Sequence, residues 1–422
     1  MSGTADCPGD LDDPMPAGPL AGVRVLDLTA TLMGPYCTQI LADMGADVIK
    51  VEGHAGDTTR YLQSGKKPGM SGMFVSLGRG KRSVVLDLKT DGGREVLSRL
   101  AAQCDVFVHS MRHEAIGRLG FDYEGIRALR PDVVYANLYG YSRLGPYAGW
   151  PAYDDTIQGI SGIAMLQAEV IGEPRYVPTM IADKVAGLTA AYAIAMALFH
   201  RERTGEGQEV EIGMFETMVS FLLVEHIGGE LFDPPIGDPI YRRAVAPHRR
   251  PYRTADGHVS VLIYNDKQWQ RFVSIAGSPP ILDDDRFDTL ESRARHIDDF
   301  YAAISEVMPT RTSVEWIGAL QQAGIPAVPL KSLKDLMHDP HLEQTGFFVS
   351  QRTKEGKLRF PGIPARFSRT PGRIREAGPL LGEHTFEVMR EMGFSDAEIA
   401  SLLRKGDIGA TTPEANADVD GA

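Results

Sequence analysis

The chain predicts an α/β fold, with a large doubly wound parallel sheet domain joined to a smaller α+β domain. Short apolar runs of strand character alternate with helical stretches through the first third of the sequence. A Pro-rich connection, Gly229 to Pro247, then breaks that pattern, and a hairpin-like segment follows it. With 422 residues, 43% hydrophobic and 24% charged, the chain can bury the cores of two domains.

Taken in order, residues 1 to 18 are rich in Asp, Gly and Pro and read as a disordered tail, as do the last residues, 409 to 422. Val23 to Leu28 reads as a strand, Tyr36 to Met44 as a helix, and Asp47 to Val51 as the next strand. Ser83 to Leu88, Val106 to Val108 and Val133 to Leu138 add strands, separated by helices at Gly92 to Gln103 and Glu124 to Leu129. That alternation is Rossmann-like and assigns residues 19–228 to the large domain. Leu188 to Phe199 is rich in Ala and Leu and reads as a buried helix. Tyr252 to Ile263 reads as a hairpin turning at Asp256-Gly257, which places a small domain at 229–329.

Composition narrows the function. A net charge of −12 argues against nucleic acid as a partner. Cys7, Cys37 and Cys104 are too scattered for a disulfide framework, which points to a reducing compartment and a cytoplasmic location. The sequence suggests no apolar run long enough to cross a bilayer and no signal peptide. The first turn, Thr29-Ala-Thr-Leu-Met-Gly-Pro35, lacks the glycine fingerprint of dinucleotide folds, which excludes an NAD enzyme. Gly78-Arg-Gly-Lys-Arg-Ser83 lacks the first glycine of a phosphate loop and argues against ATP.

Asp183 is the residue that asks for an explanation, because its carboxylate interrupts an apolar approach to the buried helix. Near a helix N-terminus an anion is stabilised. Capping is the ordinary role for such an Asp, and catalysis is the other.

The ordered motifs decide between them. Pro19 to Thr29, Gly45 to Glu52, Gly80 to Lys89, Ala152 to Gly162, Tyr176 to Gly187, His200 to Glu216, Asp256-Gly257, Ala323 to Pro329 and Pro379 to His384 together resemble the family III CoA-transferases. The likeness covers nearly the whole chain and implies coenzyme A and acyl-CoA as substrates, no metal, and Asp183 as the nucleophile. It also implies an interlocked homodimer, with residues 330–408 returning to complete the large domain. The family's CoA contacts fall on Leu32 and Met33, on Leu86, Asp87, Leu88 and Lys89, on Ser110, Met111 and Arg112, on Arg118, and on Trp150 and Tyr153. Lys89 and Arg118 are the phosphate candidates.

This chain departs from the formyl-CoA transferase pattern at several positions. Leu32 and Met33 stand in the place of an active-site glutamine, Gly53 in that of an arginine and Pro151 in that of a lysine. Those losses argue against formate or oxalate as substrate. Ala246 to Tyr252 replaces a glycine-rich shielding loop. The α-methylacyl-CoA racemases are the rival reading; they place a histidine at Tyr153, and an ordinary phenol is a poor second base at neutral pH. A catalytically silent CoA-binding protein is the third.

Other features have plainer expectations. His338 and His341 read as loop residues, Cys104 as a buried small hydrophobe, and Asp154 or Asp155 as carboxylates able to raise the pKa of Asp183. The cluster Arg242, Arg243, Arg249, Arg250 and Arg253 is either a carboxylate site or a solvated connection.

Overall fold

The computed structural model describes residues 18–353 and 356–411; Cys7 and nearly all of both tails lie outside the described residues. They form two compact units, one drawn from within Met1–Ile157, Met180–Met218 and Gly346–Ala422, the other from Gln158–Thr179 and Val219–Thr345.

The larger unit is built on six parallel strands: β1 (Arg24–Leu28), β2 (Asp47–Glu52), β3 (Lys81–Leu86), β4 (Val106–His109), β5 (Val134–Tyr139) and β6 (Gln208–Gly213). They run in the order β3-β2-β1-β4-β5-β6, and a two-residue strand, Ile408–Gly409, adds antiparallel to the β3 edge. Leu26 of β1 lies opposite Ile49 of β2 on one side and Phe107 of β4 on the other. Strands covered on both faces read as continuous apolar runs, and β4 and β5 are buried at every position. Leu26, Ile49, Val84, Phe107 and Tyr135 form the core with Leu97, Leu100, Val388 and Met389.

The expected strand Ser83 to Leu88 is displaced to Lys81–Leu86. Lys81 can begin it because its ammonium meets the buried Asp27 carboxylate, 3.3 Å away. Leu88 falls instead in the turn before the Asp91–Ala101 helix, where the Thr90 side chain accepts from the Gly93 N–H.

Helix Ile181–Thr204 is 24 residues long and packs against helix Met33–Asp43. By length and composition it could cross a membrane, which corrects the expectation that no apolar run reaches that size. The run Leu188 to Phe199 is extended towards the N-terminus by mostly small and apolar residues, and half of the helix's apolar window is buried inside the protein.

In the smaller unit, β7 (Tyr252–Arg253) and β8 (His258–Val261) form the expected hairpin, and β9 (Ala327–Pro329) joins antiparallel to β8. Trp269, Phe272, Phe287, Phe300 and Trp316 form its aromatic core. The Pro-rich connection carries short helical turns at Gly228–Leu231 and Arg242–Val245. Arg243 there donates to the Tyr301 hydroxyl at 2.9 Å. His341 lies in a one-turn helix, Pro340–Gln344, not in a loop: Pro340 takes the first helical position and Asp339 caps the Leu342 N–H at 2.9 Å.

Candidate active site

The strand order reverses between β1 and β4, and in open parallel sheets ligands bind beyond the carboxyl ends of the strands beside such a reversal. The turns leaving β1, β4 and β5 converge there around a cavity of about 610 Å³. Ala30, Thr31 and Met33 come from the first turn, Ser110, Arg112, His113 and Glu114 from the second, and Tyr139, Gly140, Tyr141 and Arg143 from the third. The segment Ala148 to Tyr153 closes another wall, and Asp183 reaches the cavity from its helix. All of these residues belong to the larger unit.

Asp183 is the third residue of its helix and does not cap it; the N-cap position is Met180, which makes no side-chain capping bond. The orphan N–H of Asp183 is satisfied instead from outside, by Asp154 Oδ1 at 3.1 Å. Asp154 opens the helix Asp154–Ile160 and is itself buried. Asp183 is only 9% exposed. Burial, and then the neighbouring Asp154 charge, push its carboxyl up to about 6, while the Met33 backbone N–H favours the ionised form.

A glycine brings these parts together. Gly187 lies one helical turn after Asp183, and a Cβ there would sit 2.7 Å from the Met33 carbonyl oxygen. The missing side chain lets the helix press against the first turn, with Asp183 on the same face one turn earlier. The result is a largely buried carboxylate beside a backbone donor, chemistry suited to a nucleophile or a base.

Of the residues singled out from the sequence, Met33, Ser110, Arg112, Trp150, Tyr153 and Asp183 share this cavity. Leu32 is buried as the N-cap of helix Met33–Asp43. Leu86 lies in the core, and Leu88 and Met111 pack against it partly buried. Asp87 Oδ1 accepts the Lys89 N–H at 3.0 Å. The Lys89 and Arg118 side chains are exposed, Arg118 at the end of helix His113–Arg118. Trp150 is half-exposed and stacks near Tyr147, with ring centres 4.5 Å apart. Thr31, His113, Glu114, Tyr139, Tyr141 and Arg143 were not anticipated. Their only sequence signal is their place just after strand ends. Arg143 is already paired with Glu209 at 2.6 Å and Glu211 at 2.9 Å.

The phosphate-loop fragment is accounted for structurally: Arg79 pairs with Asp43 at 2.6 Å and Lys81 with Asp27. Cys104 is fully buried, and that burial pushes its thiol up to about 12. Among the described residues no group of three or more His, Cys, Asp or Glu is placed to hold a metal ion.

Comparison with known proteins extends over nearly the whole chain. The succinate–glutarate CoA-transferase of Agrobacterium fabrum is 33% identical over 398 residues, covering 90% of this chain and 97% of the relative. A formyl-CoA:oxalate CoA-transferase of Shigella sonnei is 31% identical over 409 residues, covering 91% and 98%. The crystal structure of a CAIB/BAIF family protein from Brucella suis superposes with a TM-score of 0.76 at 29% identity, covering 89% of this chain and 100% of that one. Residues 20–385 match CoA-transferase family III, and a match of that extent means that the chain belongs to this family and is a CoA-transferase.

Proposed function

We propose that the enzyme moves CoA from an acyl-CoA to a free carboxylic acid through a thioester on Asp183. The observation that carries this reading is the Asp183 carboxylate itself, buried at the cavity wall with a raised pKa and a backbone donor beside it. The carboxylate attacks the thioester carbonyl, giving a mixed anhydride and expelling CoA thiolate. That thiolate attacks the Asp183 carbonyl of the anhydride, forming the aspartyl-CoA thioester and releasing the first acid. The acceptor carboxylate then attacks the enzyme thioester, and the thiolate released again takes the new acyl group, restoring Asp183. Each tetrahedral step develops an oxyanion, for which the turn at Met33 offers backbone N–H groups.

CoA contacts are assigned to Met33, Ser110, Arg112, Trp150 and Tyr153 at the cavity, with Lys89 and Arg118 as more distant phosphate ligands. An interlocked homodimer belongs to the same reading. Leu188, Tyr192, Met196 and Phe199 support it: they recur along one face of helix Ile181–Thr204 and are each about half exposed or more. Free, buried Cys37 and Cys104 fit a reducing, cytoplasmic setting.

The test is to incubate the enzyme with succinyl-CoA, quench, and locate the adduct by peptide mass spectrometry. CoA or a hydroxylamine-trapped product is expected on the Asp183 peptide. A label elsewhere moves the nucleophile, and no label in an active enzyme removes the covalent mechanism.

A further inference from the structure

The turn that presents Met33 to Asp183 is unusual in its own backbone. Thr31 has φ +71°, one of two non-glycine residues with positive φ among those described. A β-branched residue in that region is strained and persists only where its surroundings over-determine it. Here the surroundings are buried ionic side chains. The Thr31 N–H donates to Asp57 Oδ1 at 3.3 Å. Asp57 Oδ2 lies 2.9 Å from Lys50 Nζ, and both side chains are almost wholly buried. The same Lys50 ammonium donates to the Thr29 carbonyl at 2.9 Å, so one ion pair grips the turn on both sides of Ala30. Ala30 itself donates to Ser110 Oγ at 3.2 Å.

The rest of the turn is tied in the same way. Asp27 Oδ1 accepts from the Thr29 N–H at 2.9 Å, and Lys81 Nζ donates to the Pro35 carbonyl at 2.9 Å. Asp57 is fixed in turn by its own N–H, which donates to Glu52 Oε1 at 2.9 Å, and by Thr59, whose N–H and hydroxyl both donate to Oδ1. A fold that needed only a βα connection could make one from glycine with no buried charge. Burying a lysine and an aspartate is costly, and the pair gains its place by fixing geometry rather than by adding stability.

We propose that the Lys50–Asp57 pair is a positioning element of the active site: it holds Thr31 in its strained conformation and so aims the Met33 N–H at the Asp183 carboxylate. This rests on the reading of Asp183 as the reacting group. Neither Lys50 nor Asp57 lines the cavity, and both act through the turn.

The variants that test it are Thr31→Gly, Asp57→Asn and Lys50→Met, compared with wild type in kcat, KM for acyl-CoA, Tm, and the protonation midpoint of Asp183. That midpoint is read from the infrared carboxyl band by difference against Asp183→Asn, and it does not depend on transfer chemistry. Thr31→Gly relieves the strain and keeps the backbone N–H that Asp57 accepts, so its Tm is expected to hold or rise with kcat, KM and midpoint close to wild type. Asp57→Asn and Lys50→Met break the pair that holds the turn: Tm is expected to fall, kcat to fall at least about tenfold with KM within about twofold, and the midpoint to move to higher pH as the Met33 donor is lost. Variants that lose Tm alone, with kcat and midpoint unchanged, overturn the proposal and leave the pair a purely structural one. Should Asp183 prove not to be the nucleophile, the midpoint still decides whether the pair sets its environment.

Discussion

Asp154 Oδ1 accepts a hydrogen bond from the backbone N–H of Asp183 at 3.1 Å. A residue 29 positions upstream thus completes the helix start that carries the Asp183 carboxylate, and at the same time places a second negative charge beside it. The contact fixes position through one atom and acidity through its charge.

The two effects separate in Asp154→Asn. The amide oxygen still accepts from Asp183, so the helix start is kept, but the repulsion is gone. In the proposed mechanism Asp183 reacts as a carboxylate, so kcat in wild type is expected to rise with pH through a midpoint near its raised pKa of about 6. Burial is the larger cause of that rise and remains in the variant. The Asp154→Asn limb should therefore move to lower pH without returning to the ordinary carboxylate range. A pH profile of kcat at saturating substrates checks this, and an unmoved limb would mean that Asp154 does not set the acidity of the nucleophile.

Stability follows from the same shift. The folded pKa of Asp183 is about 6 and the unfolded value is 3.8, so the folded state holds the proton more tightly. The stabilisation from protonation is complete below the unfolded value and is lost as pH rises through about 6. Asp183→Asn stays neutral at every pH. It should abolish transfer and be more stable than wild type at pH 7 by roughly 1–3 kcal/mol, a gain that fades between pH 6 and 4. Urea unfolding at several pH values measures it; a variant less stable than wild type at pH 7 contradicts the raised pKa.

Gly187 offers an independent test of the packing. Alanine is the better helix former by about 1 kcal/mol, so Gly187→Ala would stabilise a helix with open space at that point. Here its Cβ meets the Met33 carbonyl at 2.7 Å. The expected outcome is a net loss of roughly 1–3 kcal/mol from overpacking, with kcat reduced about tenfold or more as Asp183 is pushed away from the first turn. A stabilised and active Gly187→Ala protein would show that helix and turn are not in contact.

The central strands were legible because they are buried on both faces and therefore spell apolar runs, as in Val106–His109. Strand β6 was not. Its sequence, Gln-Glu-Val-Glu-Ile-Gly, alternates charge with apolar residues, and its carboxylates make sense only beside Asn137 and Arg143, some seventy residues away. The register of β3 was missed for the same reason, since nothing local shows that Lys81 has a buried partner in Asp27. Helix Ile181–Thr204 starts without a capping side chain, so its exact first residue carried no local signal, although the Ala- and Leu-rich run was enough to place Asp183 near its N-terminus. Asp183 was found through the resemblance of ordered motifs. Thr31, His113 and Arg143 are brought to the cavity by topology alone, and a single sequence does not display topology of that kind.

The cations divide by position. All three are exposed, but Arg112 lines the cavity, whereas Lys89 and Arg118 lie off it. Arg112→Ala is expected to weaken CoA binding by about one to two decades, the worth of roughly 1.5–3 kcal/mol for a charge-assisted bond to phosphate. Lys89→Ala and Arg118→Ala should have smaller effects that shrink further with added salt. Titration calorimetry at two ionic strengths gives the order, and an effect confined to Lys89 and Arg118 would relocate the phosphates.

Transfer and racemisation make opposite demands on the substrate α-carbon. Racemisation needs a base on each face of that carbon. Asp183 supplies one, but Tyr153, at the cavity wall, is a phenol where the racemases place a histidine. Asp154 is no substitute, because its Oδ1 is engaged with the Asp183 backbone and it does not line the cavity. Transfer leaves the α-carbon untouched, since every bond made or broken involves the acyl carbon. A chiral 2-methylacyl-CoA incubated in deuterated water is therefore expected to keep its configuration and gain no α-deuterium, while CoA moves to an added acid. Rapid α-deuterium incorporation without an acceptor would make Asp183 a base, and the cavity would then have to supply the second one from a residue other than Tyr153.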